Sequence, residues 1–157
     1  MLDDLLPLEV LTELGRVTWA AIQLEDYTEG VCSSVNPANP RTDKRPISRK
    51  IKDAKNVLID WPVSKVRDDA IAWLERASQA IEERNAAFHA TPLVWIGGSN
   101  EGQLLLGEMP RANRLYTERP LTVESLNMLR STLESAPSGW AEITVALGTE
   151  LKRQAQL

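Results

Sequence analysis

The chain has 157 residues, 43% of them hydrophobic and 25% charged, with a formal net charge of −4. That is enough for one domain with a packed core. It excludes a membrane span, which needs ~20 consecutive apolar residues, and a surface coated with positive charge for unselective nucleic-acid binding. A single cysteine, Cys32, and a single histidine, His89, exclude an internal disulfide framework and leave too few soft ligands for a zinc site within one chain. The start Met1-Leu2-Asp3-Asp4 is acidic where a signal peptide would be basic, so a cytoplasmic protein is expected.

Helical periodicity dominates the predicted elements. From Pro7 to about Ser34, the residues Leu11, Leu14, Val17, Ala21, Leu24, Thr28 and Val31 recur at three- and four-residue steps. Asn36-Pro37-Ala38-Asn39-Pro40 ends that helix as a stiff connector. A second helix spans roughly Ile47 to Ile59, with Ile47, Ile51, Ala54 and Leu58 inward and its basic residues mostly off that stripe. A third runs from Lys65 to about Ala90, with Ser64 as N-cap and Val66, Ala70, Trp73, Ala77 and Ile81 inward. Pro92 sets its end.

Two short apolar runs, Leu93 to Ile96 and Gln103 to Leu106, flank Gly97-Gly98-Ser99-Asn100-Glu101-Gly102 and read as a β-hairpin. Residues Pro110 to Pro120 read as a polar, arginine-bearing loop. Thr122 caps a fourth helix with Val123, Leu126, Leu129 and Leu133 inward. After Pro137-Ser138-Gly139, a last helix carries Trp140, Ile143, Leu147 and Leu151 inward. The expected fold is all-α: one domain over residues 1–157, an up-and-down bundle of four to five helices with a small β-hairpin insertion before the fourth. The five tryptophans fall mostly at core or element-end positions.

Two charged features stand out. Arg41, Lys44, Arg45, Arg49, Lys50, Lys52 and Lys55 face only Asp43 and Asp53, so this segment carries +5 and the rest of the chain −9. It is either a solvated helix face or a phosphate-contacting patch in which Arg49, Lys50, Lys52 and Lys55 bind RNA. The second feature is Arg84-Asn85-Ala86-Ala87-Phe88-His89. Arg84 follows Ala77 by about two helical turns and so extends the apolar stripe of its own helix. A guanidinium is costly there unless a pocket, a partner or an anion receives it. His89 lies about 140° around an ideal helix from Arg84, while Asn85 shares the face of His89.

With Arg84, Asn85 and His89 at the end of the third long helix, the sequence resembles the HEPN superfamily, helical bundles with the pattern R-x-x-x-x-H. The opening helix with Leu14-Gly15-Arg16-Val17 and Trp19, and the closing helix after Leu121-Thr122-Val123-Glu124-Ser125-Leu126, fit the same outline. The resemblance implies a metal- and cofactor-independent endoribonuclease of toxin or phage-defence type. It would act as a homodimer, through the faces bearing Arg84 and His89. His89 would move protons at the ribose 2′-hydroxyl and the leaving 5′-oxygen. Arg84 would stabilise the phosphorane-like transition state. Asn85 would orient His89 or the phosphate. The products would be a 2′,3′-cyclic phosphate and a 5′-hydroxyl. An antitoxin protein is a further implied partner. Thr91 stands where toxins paired with a nucleotidyltransferase carry tyrosine, so modification of such a tyrosine is not expected. The alternatives are a catalytically silent module binding RNA, a nucleotide or a protein, and a structural dimerisation domain in which Arg84 pairs with an acidic residue across the interface.

Overall fold

The computed structural model describes residues 7–36, 44–88 and 122–156 with their side chains, except that of Phe88, and the backbone of three short strands between residues 91 and 120. Five α-helices stand among the described residues: α1 Leu8–Val35, α2 Ile47–Ile59, α3 Lys65–Phe88, α4 Val123–Ser135 and α5 Trp140–Gln154. They form a helical bundle. α1 is its axis and packs against each of the other four, while α3 also meets α2, α4 and α5.

The periodicity accounts for the core. Val17, Ala21, Leu24, Thr28 and Val31 of α1 are buried, with Ile51, Ala54 and Leu58 of α2 and Ala70, Trp73, Ala77 and Ile81 of α3. Leu126 and Leu133 of α4 and Leu147 of α5 close it from the other side. Thr28 is tolerated inside because its hydroxyl donates to the Leu24 carbonyl at 2.7 Å. Glu13 is also buried. It is held by Arg130 of α4 at 2.6 Å and Arg16 of α1 at 3.1 Å, so this charge ties α1 to α4.

The helix ends follow local chemistry. The Ser64 hydroxyl accepts from the Arg67 amide at 3.3 Å. Thr122 and Ser125 form a reciprocal capping box at the start of α4. Gly139, at φ +79°, supplies the left-handed residue from which α5 starts.

Several sequence expectations are corrected. Before α4, where a two-stranded hairpin was expected, the described backbone has three strands. The backbone there forms β1 Thr91–Val94, β2 Leu104–Glu108 and β3 Thr117–Pro120, antiparallel in the order β1-β2-β3. β3 takes the end of the stretch expected as loop. It has no apolar alternation and pairs through its backbone, with Arg119 opposite Leu106. Pro92 and Pro120 both sit on outer strands, where a missing ladder donor is tolerated. The turn at 97–102 lies outside the described residues.

The tryptophans also divide. Trp73 is buried and Trp61 packs against the core, but Trp19 is 62% exposed. Trp140, expected inward, is 37% exposed and stacks on Tyr27 with ring centroids 4.7 Å apart. Trp95 lies outside the described residues.

Candidate functional site

Arg84 and Asn85, in the last turn of α3, line one cleft of about 570 Å³. Its far wall is α1, which contributes Ile22, Glu25, Asp26 and Glu29. Its floor is the entry to α2, with Arg45, Pro46, Ile47 and Ser48. The extended apolar stripe of α3 explains the placement. Ala77 and Ile81 are buried, and Arg84, one further step along, emerges at the rim where the core ends.

The Arg84 guanidinium pairs with the Glu25 carboxylate of α1. Only 22% of the Arg84 side chain is exposed, against 38% for Glu25. Burial lowers the Arg84 pKa from its ordinary value. Its Nε is buried and finds no acceptor among the described residues. The fork is therefore charged and partly desolvated, and one of its donors is unmet.

One turn further along α1, Glu29 receives the ammonium of Lys50. The Lys50 side chain is 6% exposed, so a basic residue expected on the outer face points inward instead. The physical reason is tertiary: α1 places a carboxylate over that position of α2, and a paired ammonium can be buried where a lone one cannot. Arg45, which opens the cleft floor, pairs with Asp53 at 2.5 Å.

Of the other proposed RNA contacts, Lys55 is bonded to Glu75 of α3 at 2.9 Å. Arg49 and Lys52 are exposed on the outer face of α2. The cleft lining includes none of Arg49, Lys50, Lys52 and Lys55. The structure thus brings Arg84 and Asn85 together with Arg45 of the basic segment and leaves Arg49, Lys50, Lys52 and Lys55 out of the cleft lining. His89 follows α3 directly and lies outside the described residues.

Sequence reasoning missed the acidic wall. Glu25, Asp26 and Glu29 give α1 three carboxylates within five residues, Glu25 and Glu29 a helical turn apart. Their signal was charge complementarity to the +5 segment. The apolar stripe of α1 masks it.

Cys32 lies beneath this site and is buried. Burial pushes its thiol up to about 12, against the opposing pull of Lys50. A thiol so placed is packing material rather than a nucleophile. Because the folded pKa is raised above the ordinary 9.0, its contribution to stability is complete below pH 9 and is lost as pH rises toward 12. Denaturation at about pH 8 and about pH 10 should show a loss that is smaller in Cys32→Ala. An equal loss in both proteins would remove Cys32 as its source.

Among the described residues no helix is long and apolar enough to cross a membrane, and no group of three or more His, Cys, Asp or Glu is arranged to hold a metal ion. Comparisons with protein-family models, with curated proteins and with solved structures find no match to this chain.

Proposed function

We propose that the protein is a HEPN-like endoribonuclease that works as a homodimer and cuts RNA by attack of the ribose 2′-hydroxyl on the adjacent phosphate. The observation that carries this reading is Arg84, a guanidinium in a cleft beside Asn85 with one donor unmet. Such a fork suits a phosphodiester, whose two non-bridging oxygens can accept from two of its donors at once. In this account Arg84 stabilises the charge that builds on the phosphorane and His89 transfers the protons. Asn85 orients one or the other, and the products are a 2′,3′-cyclic phosphate and a 5′-hydroxyl. Arg49 and Lys52, free of the cleft, contact RNA phosphates further along the strand. The protein would belong to the toxin or phage-defence type, with an antitoxin as a second partner, and would act in the cytoplasm.

Dimerisation draws support from the rim of the cleft. Ile22 lines it and is 54% exposed, and Trp19, one turn earlier on α1, is 62% exposed. Apolar side chains this open beside a charged cleft fit a surface that a second copy covers. The test is Ile22→Asp, alone and with Trp19→Asp. Sedimentation should show wild type as a dimer and the variants as monomers with unchanged helix content, and RNA cleavage should fall with the dimer. A monomeric wild type that cleaves RNA, or a variant that stays active as a monomer, would remove the composite cleft. The cleavage rate should also be bell-shaped in pH, because one histidine of the pair accepts a proton while the other donates. A rate rising steadily through neutral pH contradicts that assignment.

The pairing of Arg84 with Glu25 is the observation that favours the second reading, a catalytically silent module that binds RNA, a nucleotide or a protein. That module predicts salt-sensitive RNA binding with no cleavage in any buffer.

A further inference from the structure

Arg84 already has an anion. The Glu25 carboxylate holds the Nη2 end of the fork that a phosphate would need, and it comes from α1, 59 residues away in sequence. A phosphate entering the cleft meets this carboxylate twice over, as a competitor for the guanidinium and as a like charge beside it. Both effects oppose binding.

The three carboxylates of the wall differ in how freely they can yield. Glu29 is bonded to Lys50, whose side chain is almost wholly buried, so moving Glu29 away would strand an ammonium without a partner. Asp26 is exposed on the turn of α1 between the two glutamates. Glu25 is 38% exposed and belongs to an ion pair at the mouth of the cleft, so it can rotate into water when another anion takes its place. The Arg84 Nε is buried, so an incoming phosphate must take the outer end of the guanidinium, where Glu25 now sits.

We propose that Glu25 is a gate on Arg84: a built-in counter-anion that holds the cleft closed to phosphate and must be displaced before RNA can bind. The inference rests on the reading of Arg84 as the phosphate-binding group. It adds a residue that lowers affinity for RNA, and it explains why an acidic wall and an arginine share one cleft. An RNA able to satisfy the fork with two phosphate oxygens would open the gate. A weakly held or singly contacting anion would not.

The test is binding of a short single-stranded RNA with 2′-O-methyl groups throughout, which cannot be cut by 2′-hydroxyl attack. Its affinity is measured by fluorescence anisotropy for the wild type, Glu25→Gln, Arg84→Gln and the double variant. Glu25→Gln should bind roughly tenfold tighter than wild type. Arg84→Gln should bind more weakly, and adding Glu25→Gln to it should recover only the smaller gain that comes from removing a like charge. Glu25→Asp, which keeps the charge and shortens the reach by one methylene, should give a smaller gain and serves if Glu25→Gln does not fold. Unchanged or weaker binding by the Glu25 variants, with Arg84→Gln still impaired, overturns the gate and leaves Arg84 as a phosphate site. A gain equally large with and without Arg84 overturns it too. Equal binding by wild type and Arg84→Gln overturns both the gate and the phosphate reading.

Discussion

Arg84→Ala should lower the rate of RNA cleavage roughly 10²–10³-fold, with a smaller change in RNA affinity. The partition follows from the site. In the resting protein Arg84 is paired with Glu25, so little of its interaction energy with the ground-state phosphate remains after that carboxylate is displaced. The phosphorane-like transition state carries more negative charge than the substrate, and a partly desolvated guanidinium favours it selectively. Removing Arg84 therefore acts mainly on the rate at saturating RNA. Arg84→Lys should recover only part of the loss, because an ammonium cannot reproduce the two-pronged contact. Single-turnover cleavage at saturating enzyme measures the effect. A loss confined to affinity, with the saturated rate unchanged, would make Arg84 a binding residue only.

The largest stability effect should come from Trp73→Ala, which should destabilise the fold by about 3–5 kcal/mol. Trp73 is 1% exposed and is the bulkiest fully buried side chain described. Its indole N–H donates to the Ser138 carbonyl at 3.1 Å, joining α3 to the turn between α4 and α5. Truncation opens a cavity at the meeting of three helices and leaves that carbonyl without its donor. Trp73→Phe should cost less, since it keeps much of the volume and loses chiefly the hydrogen bond. Chemical denaturation of the two variants separates packing from hydrogen bonding. A Trp73→Ala loss below about 1 kcal/mol would show that the core collapses onto the gap.

The sequence made the helices legible because each buries a stripe at helical spacing. Ile47, Ile51, Ala54 and Leu58 bracket α2 at its observed ends, Ile47–Ile59. Caps were equally readable where side chains bond locally, as at Ser64 and Thr122. What could not be read depends on partners far along the chain. Lys50 looked like one of several surface lysines, and only the carboxylate of Glu29 on α1 explains its burial. Trp19 is neither core nor an element end, because the inward face of α1 passes through Val17, Ala20 and Ala21 and leaves it outside. β3 was hidden because Thr117-Glu118-Arg119-Pro120 shows no alternation, so only backbone pairing with β2 defines it. At the site, the stripe geometry of α3 placed Arg84 at the edge of the core. Glu25, which decides the electrostatics there, was legible only as one of three close carboxylates on α1, with nothing to name Arg84 as its partner.

The central claim is a two-fold cleft that cuts RNA through arginine and histidine without a metal. Its most direct test is incubation of a mixed RNA panel in excess EDTA with the wild type and His89→Ala, with the chemistry of the new ends determined. The account predicts cleavage by the wild type, fragments ending in 2′,3′-cyclic phosphate with 5′-hydroxyl partners, and no cleavage by His89→Ala. Equal cleavage by the two proteins, or fragments ending in 3′-hydroxyl and 5′-phosphate, would contradict it.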